Sequence, residues 1–268
     1  MALRVSVGRY YPVASPVHRL DPRTKVAAAL LFMVSCFLAD DAPTLALAAV
    51  AVATVAVLAR IPLGRLLGSL RPLAVFLVVS SVISLVLTRT GSPVLAAGPL
   101  VIYSDGVTAA IVYAVRFFLL LAAGDVLMLT TRPTELTDGI ERLLRPLERL
   151  GVPVAQAMIT LSIALRFVPT LSREAEDVLS AQTARGADLE DRGALSYALA
   201  CIPLVVPLFA SALRHAEALG RAMEARCYTG DADRTHYREL RLSPVRDGAF
   251  IAAALAYLVA LIALRILL

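Results

Sequence analysis

Two arginines, Arg185 and Arg226, occur in the same short phrase, and a guanidinium placed that way can grip carboxylates or carbonyl oxygens of another chain. The first copy runs from Ala175 to Gly186 and the second from Ala216 to Cys227. Aligned, Ala175, Glu176, Ala181, Ala184 and Arg185 match Ala216, Glu217, Ala222, Ala225 and Arg226. Both copies have helical spacing. Leu171, Ala175, Val178, Leu179 and Gln182 share one face in the first, and Ala212, Ala216, Leu219, Met223 and Cys227 share one in the second. Each copy therefore predicts an amphipathic helix with an arginine in its last turn, and Gly186 predicts a left-handed stop for the first. One such arginine needs no special role, because a cation at a helix C-terminus gains about 0.3–1 kcal/mol from the macrodipole. Two in the same Ala-x-x-Ala-Arg context are harder to explain by capping alone. The small alanine collar lets a helix end enter a cleft, and the planar fork of donors binds acceptors tightly once desolvated. Spacing alone leaves capping and docking both open. The pair Glu217 and Arg221, at i and i+4, reads as an ordinary helix-face ion pair.

No other group of residues points to catalysis. His18, His215 and His236 are scattered, without metal-ligand spacing, and neither a GxSxG elbow nor a phosphate-binding loop is present. Cys36, Cys201 and Cys227 form no close pair, which argues against a disulfide or a cysteine metal site. Ser80, Ser81 and Ser84 lie in an apolar run without a neighbouring base and read as back-bonded or packed serines. Arg116 and Asp125 fall on opposite faces of another apolar run, so each is expected to pair with a different helix. No catalytic residue, metal or cofactor is expected, and no basic patch with groove-reading or stacking residues suggests a nucleic acid.

The elements that position the arginines follow from hydropathy. The 268 residues are 59% hydrophobic and 18% charged with no Trp, too apolar for a soluble domain of this length. The Ala/Leu/Val runs do not alternate as barrel strands would. The fold class expected is an all-α polytopic membrane protein: five transmembrane helices plus long amphipathic cytoplasmic coupling helices. The spans are Val26–Ala39, Thr44–Ala59, Pro72–Thr88, Gly106–Thr131 and Gly248–Leu268, with Asp21-Pro22 as a helix start. Basic residues crowd the N-terminus, the 60–71 loop and the stretch from Arg132 to Arg246, and are sparse in 40–43 and 89–105. The positive-inside rule then puts the N-terminus in the cytoplasm and the C-terminus outside a bacterial cell membrane. Three segments result: 1–131 with the first four spans, 132–246 as the coupling region, and 247–268 as the last span. Val152–Val168 and Ala194–Leu213 are also apolar, and counting them gives seven spans. Pro153 and Pro169 bracket the first, Pro203 and Pro207 interrupt the second, and Arg166 within the first costs about 2.5–3.5 kcal/mol at mid-membrane. A seven-span chain would also separate Arg185 from Arg226 across the bilayer. Two helices near the cytoplasmic interface are therefore expected. A third amphipathic helix, Thr134–Leu150, carries Leu136, Ile140, Leu143, Leu144, Leu147 and Leu150 on one side, starts at Pro133 and should bend at Pro146. It reads as a structural helix covering the others.

The phrase Leu165-Arg-Phe-Val-Pro-Thr-Leu-Ser-Arg-Glu-Ala-Glu-Asp-Val-Leu-Ser-Ala-Gln-Thr-Ala-Arg-Gly186 resembles the signature of the transmembrane subunit family of energy-coupling factor transporters, EcfT, with its cobalt- and biotin-transport relatives. Leu20-Asp-Pro-Arg-Thr-Lys25, Thr130-Thr-Arg-Pro133 and the stretch from Ala225-Arg-Cys-Tyr228 to Arg234-Thr235 are similar to further motifs of that family. The resemblance implies a non-enzymatic scaffold of a vitamin or metal-ion importer. Its partners would be two ABC-type ATPases, identical or not, a small substrate-binding membrane subunit and the lipid bilayer. It also implies that Ala184-Arg185-Gly186 and Ala225-Arg226-Cys227 enter grooves of the two ATPases. Leu136, Ile140, Leu143, Leu144 and Leu147, with Val178, Leu179, Leu219 and Met223, would face the substrate-binding subunit. The second motif has Cys227 where glycine is commoner, and a Cβ disfavours the left-handed stop, so Gly230 is the expected terminator. The alternatives are a self-sufficient secondary carrier, which should show two similar halves with broken helices, and a transmembrane enzyme, which needs convergent polar groups.

Overall fold

The computed structural model describes residues 10–70, 74–88, 90–97, 100–186, 202–230 and 242–267. The run from 194 to 201, Arg192, His236 and the Arg234-Thr235 end of the second motif lie outside the described residues. The elements are α1 (Pro22–Cys36), α2 (Ala42–Leu58), α3 (Leu63–Leu70), α4 (Ala74–Leu87), β1 (Pro93–Ala97), β2 (Leu100–Tyr103), α5 (Ser104–Thr130), α6 (Pro133–Leu144), a 3-10 turn (Arg145–Leu150), α7 (Val154–Ala184), α8 (Ile202–Ala225) and α9 (Arg246–Leu267). Among the described residues the only strands are those of the antiparallel hairpin β1–β2, in the segment that reads as a loop from sequence. The described residues form two compact units: one from 10–143 with 242–267, the other from 144 to 230.

In the first unit α5 is the axis. Leu119 and Ala122 pack with Cys36, Ala39, Leu45, Ala48 and Val52, and one turn or more further along Val126 and Leu129 pack with Val17, Leu20, Ala56, Ala59, Ile61 and Leu66. Alanines at 0–2% exposure (Ala39, Ala48, Ala56, Ala59, Ala122) let the backbones approach closely, the packing typical of helices in lipid. Polar contacts fix the helix directions. At one end, Lys25 at the start of α1 donates through Nζ to the Thr130 carbonyl at the end of α5 (3.0 Å) and to the His18 carbonyl (3.2 Å). Asp247, at the start of α9, accepts from the Asp21 amide (2.9 Å), the Ser243 amide (2.6 Å) and Thr24 Oγ1 (3.3 Å). At the other end, Arg116 of α5 donates to the Ala39 carbonyl (2.6 Å) and to Asp40 (2.7 Å), and Arg265 near the end of α9 lies 3.7 Å from Asp40. So α1 and α9 run one way and α2 and α5 the other. α4 is antiparallel to α5: Phe76 meets Phe117 with ring centroids 5.7 Å apart, Ser81 donates to the Ala110 carbonyl, and a Cβ on Gly106 would sit 3.1 Å from the Leu85 carbonyl. Arg116 pairs outside α5, but with the α1–α2 connection rather than with the helix expected; Ser81 packs against a neighbouring helix as expected. Asp21 caps α1 by accepting from the Arg23 amide (2.9 Å), with Pro22 in the first turn.

Three of the sequence expectations change. Pro169 does not end a helix: α7 runs through it for 31 residues. A proline removes one backbone bond and crowds the preceding turn, and the packing of α7 on α8 on both sides of that point holds the helix together. Pro146 does more than bend: the α-helix stops at Leu144 and a 3-10 turn follows to Gly151, whose φ of +85° closes it. The buried side of α6 is also not its leucine row. Thr137 and Gly139 are buried, and a Cβ on Gly139 would meet Pro22 at 3.1 Å, so the small residues seat α6 on the start of α1. By length and composition α5, α7 and α9 can each cross a bilayer, while α2 and Val75–Leu85 are apolar but shorter.

Two consequences can be measured on detergent-solubilised protein. Asp247→Ala strips buried donors of their acceptor and is expected to lower stability by roughly 2–4 kcal/mol, with Asp247→Asn losing less; thermal unfolding checks both. His18 is held neutral: Nε2 bonds the Tyr11 carbonyl (2.9 Å) and Nδ1 the Ser15 hydroxyl (2.7 Å). Burial, then the Lys25 charge, pushes its pKa below the ordinary value, against the opposing backbone bonds. The unfolded chain therefore binds the proton first. Stability is full above the unfolded value near 6.5 and falls as pH drops below it. The melting temperature should decline between pH 7 and pH 5, and His18→Gln should flatten that slope.

Candidate functional site

In the second unit α7 packs on α8, and each helix ends in one of the repeated motifs. Ala184 closes α7, Arg185 is its C-cap and Gly186 follows at φ +87°. Ala225 closes α8, Arg226 follows, and Cys227 sits at φ +57°. The hydrogen bonds correspond: the Gly186 amide donates to the Thr183 carbonyl (2.9 Å), and the Cys227 amide to the Glu224 carbonyl (2.9 Å). At α8 the Tyr228 amide also donates to the Met223 carbonyl (3.0 Å), completing a Schellman motif. This corrects the expectation that Gly230 terminates the second helix. Gly230 is left-handed too, at φ +79°, but α8 has ended by then. Two satisfied carbonyls outweigh the roughly 1–2 kcal/mol that a Cβ costs in that conformation. The two ends therefore present their arginines on the same backbone scaffold despite the glycine-to-cysteine difference. Ala184, Arg185, Gly186, Ala225, Arg226 and Cys227 are all exposed.

The apolar candidates sort differently. Val178, Leu179, Leu219 and Met223 are half-buried on α7 and α8. Leu136 and Ile140 are half-buried on α6, Leu143 is exposed, Leu144 ends the helix half-buried, and Leu147 is exposed in the 3-10 turn. Leu144 and Leu147 thus belong to the second unit and the other three to the first. The Glu217–Arg221 ion pair forms at 4.0 Å with both side chains about 70% exposed, which gives it little weight.

Sequence reasoning passed over the polar cluster between the two helices. Glu174 accepts from Ser211 Oγ (2.7 Å) and from His215 Nε2 (2.6 Å), and the His215 ring lies 5.7 Å from that of Phe167. His215 is therefore not a scattered histidine. The signal was present: Glu174 and His215 hold equivalent places in the two copies, since 215 − 174 and 226 − 185 are both 41.

Residues 14–237 match the cobalt transport protein family, CbiQ. The chain belongs to this family. Among the relatives of this CbiQ-family chain is the energy-coupling factor transporter transmembrane protein EcfT of Thermosediminibacter oceani, 40% identical over 251 residues that cover 94% of each chain. The EcfT protein of Bacillus subtilis is 40% identical over 234 residues, 87% of this chain and 88% of its own. A putative ABC transporter ATP-binding protein of Bifidobacterium longum is 41% identical over 253 residues, which are 94% of this chain but 32% of that relative.

The matched helix ends make a quantitative prediction. Cys227→Gly should relieve its end by up to about 1 kcal/mol, and Gly186→Ala should weaken the other by a similar amount, because a Cβ at Gly186 meets nothing and only the backbone is strained. Amide hydrogen exchange in the last turns of α7 and α8 reads both changes.

Proposed function

We propose that the chain is the transmembrane scaffold of an energy-coupling factor importer of the ABC class, with no catalytic site of its own. Two cytoplasmic ATPases supply the work, and a separate small membrane subunit binds the vitamin or metal ion. The observation that carries this reading is the pair of exposed arginines, Arg185 and Arg226, on two helix ends of like geometry. Each end is a rod with an alanine collar and a planar donor fork, shaped to enter a cleft on a separate protein. Family membership supports the same role, and so does the Bifidobacterium longum relative, which is named as a putative ABC transporter ATP-binding protein and whose length exceeds the matched part. Ala184-Arg185-Gly186 and Ala225-Arg226-Cys227 are the ATPase-docking motifs. The half-buried or exposed Leu136, Ile140, Leu143, Leu144, Leu147, Val178, Leu179, Leu219 and Met223 are surfaces for the substrate-binding subunit.

Five helices, α1, α2, α4, α5 and α9, cross the membrane, with the N-terminus in the cytoplasm and the C-terminus outside. The alternating directions α1, α2, α4, α5 and α9 support that count, as does the arginine-rich character of the end at which α1 begins. The segments 1–131 and 247–268 form the membrane part and 132–246 the coupling region. ATP-driven closure moves the docked tips, and the helices α7 and α8 pass that displacement to the substrate-binding subunit.

Arg185→Ala or Arg226→Ala is expected to weaken ATPase binding by about thirtyfold or more and to lower copurification and nutrient uptake with it, and the double change to come close to abolishing both, as removal of a hydrogen-bonded interface charge costs about 2–5 kcal/mol. Pull-down from membranes and radiolabelled uptake measure it; wild-type uptake in the double variant would refute the docking role.

A further inference from the structure

The repeat extends further back than the matching letters that reveal it. At the same offset of 41, Thr170 corresponds to Ser211, Arg173 to Arg214, and Glu174 to His215. Glu174 and His215 are the two residues that touch, at 2.6 Å. When two like elements meet through equivalent positions, a two-fold axis passes close to the contact, as in an isologous interface. Chain counting agrees: 185 − 174 and 226 − 215 both equal 11, so each arm from the contact to its arginine is about 16 Å long at 1.5 Å per residue. Pro169 of α7 and Pro207 of α8 both lie on the N-terminal side of the contact, so neither arm contains a proline. Two copies of one charge at the axis position would repel, unless one were neutralised. A carboxylate facing an imidazole solves this, and Ser211 adds a second donor to the same carboxylate (2.7 Å).

We propose that Glu174 and His215 are positioning residues that form the pivot of the coupling helices, holding the crossing so that motion at one arginine tip is transmitted to the other. The proposal rests on the reading of those tips as ATPase-docking ends. It makes the pair important for the efficiency of coupling and leaves assembly to Arg185 and Arg226.

The test uses the complete transporter complex reconstituted in liposomes, with ATPase content, ATP hydrolysis and uptake measured on the same preparation. Glu174→Gln and His215→Ala are expected to retain the ATPases and hydrolyse ATP, while uptake per ATP falls by about fivefold or more, the scale of an ordinary coupling energy. The exchange Glu174→His with His215→Glu should restore most of the ratio. The two-fold relation puts Thr170 where it can donate to the carboxylate moved to position 215, as Ser211 donates to Glu174. A wild-type ratio in the single variants, or an exchange variant as poor as the singles, would overturn the pivot. Loss of the ATPases from the single variants would also overturn it, by making the pair a brace for assembly. Absence of ATPases from the wild-type preparation would instead refute the docking reading on which the pivot rests. If His215→Ala fails to fold by thermal unfolding, Glu174→Gln and the exchange variant decide.

Discussion

A helix leaves its terminal peptide groups without partners, and a chain this apolar has few places to satisfy them. That constraint organises both units. Where helix ends are buried, the chain supplies internal partners. Asp21 caps α1, and Asp247 takes up the distant Asp21 amide together with that of Ser243 just before its own helix. Lys25 satisfies carbonyls at the end of α5 and in the lead. Where the helix ends are exposed, at Arg185 and Arg226, the backbone satisfies itself through left-handed turns, which leaves the side chains free to be offered outward. The same requirement thus produces a tied end in one unit and presented ends in the other.

Much of this was legible in the residues. Asp21-Pro22 announced a helix start, Gly186 a helix stop, and the paired arginines a repeated element. The five apolar runs coincide with α1, α2, α4, α5 and α9. What was not legible had specific physical causes. Cys227 occupies the left-handed conformation because the carbonyl bonds of a Schellman turn outweigh a Cβ penalty, a balance that residue type alone does not reveal. The leucine row of α6 drew attention from Thr137 and Gly139, whose small size is what permits close packing on Pro22. Pro169 sits within a continuous helix because tertiary packing overrode a local break. Glu174 and His215 differ in chemistry, so the repeat that joins them does not show as matching letters.

The two units divide the physical problem. In one, small residues around α5 and polar ties at either end fix helix directions, and the buried Arg116 is neutralised by Asp40 within reach of Arg265. In the other, two long helices meet at one polar cluster and extend equal, proline-free arms beyond it. Both units lie in a chain of a transport family.

Lys25 is the sole lysine in the chain and is 4% exposed, with its ammonium spent on two carbonyl oxygens. Its one lysine side chain is therefore nearly silent to amine-directed reagents while the chain is folded. Acylation at this one side chain becomes possible only when the junction of α1, α5 and the lead opens, so a single mass increment on the peptide containing Lys25 would act as a clock for the breathing of that junction.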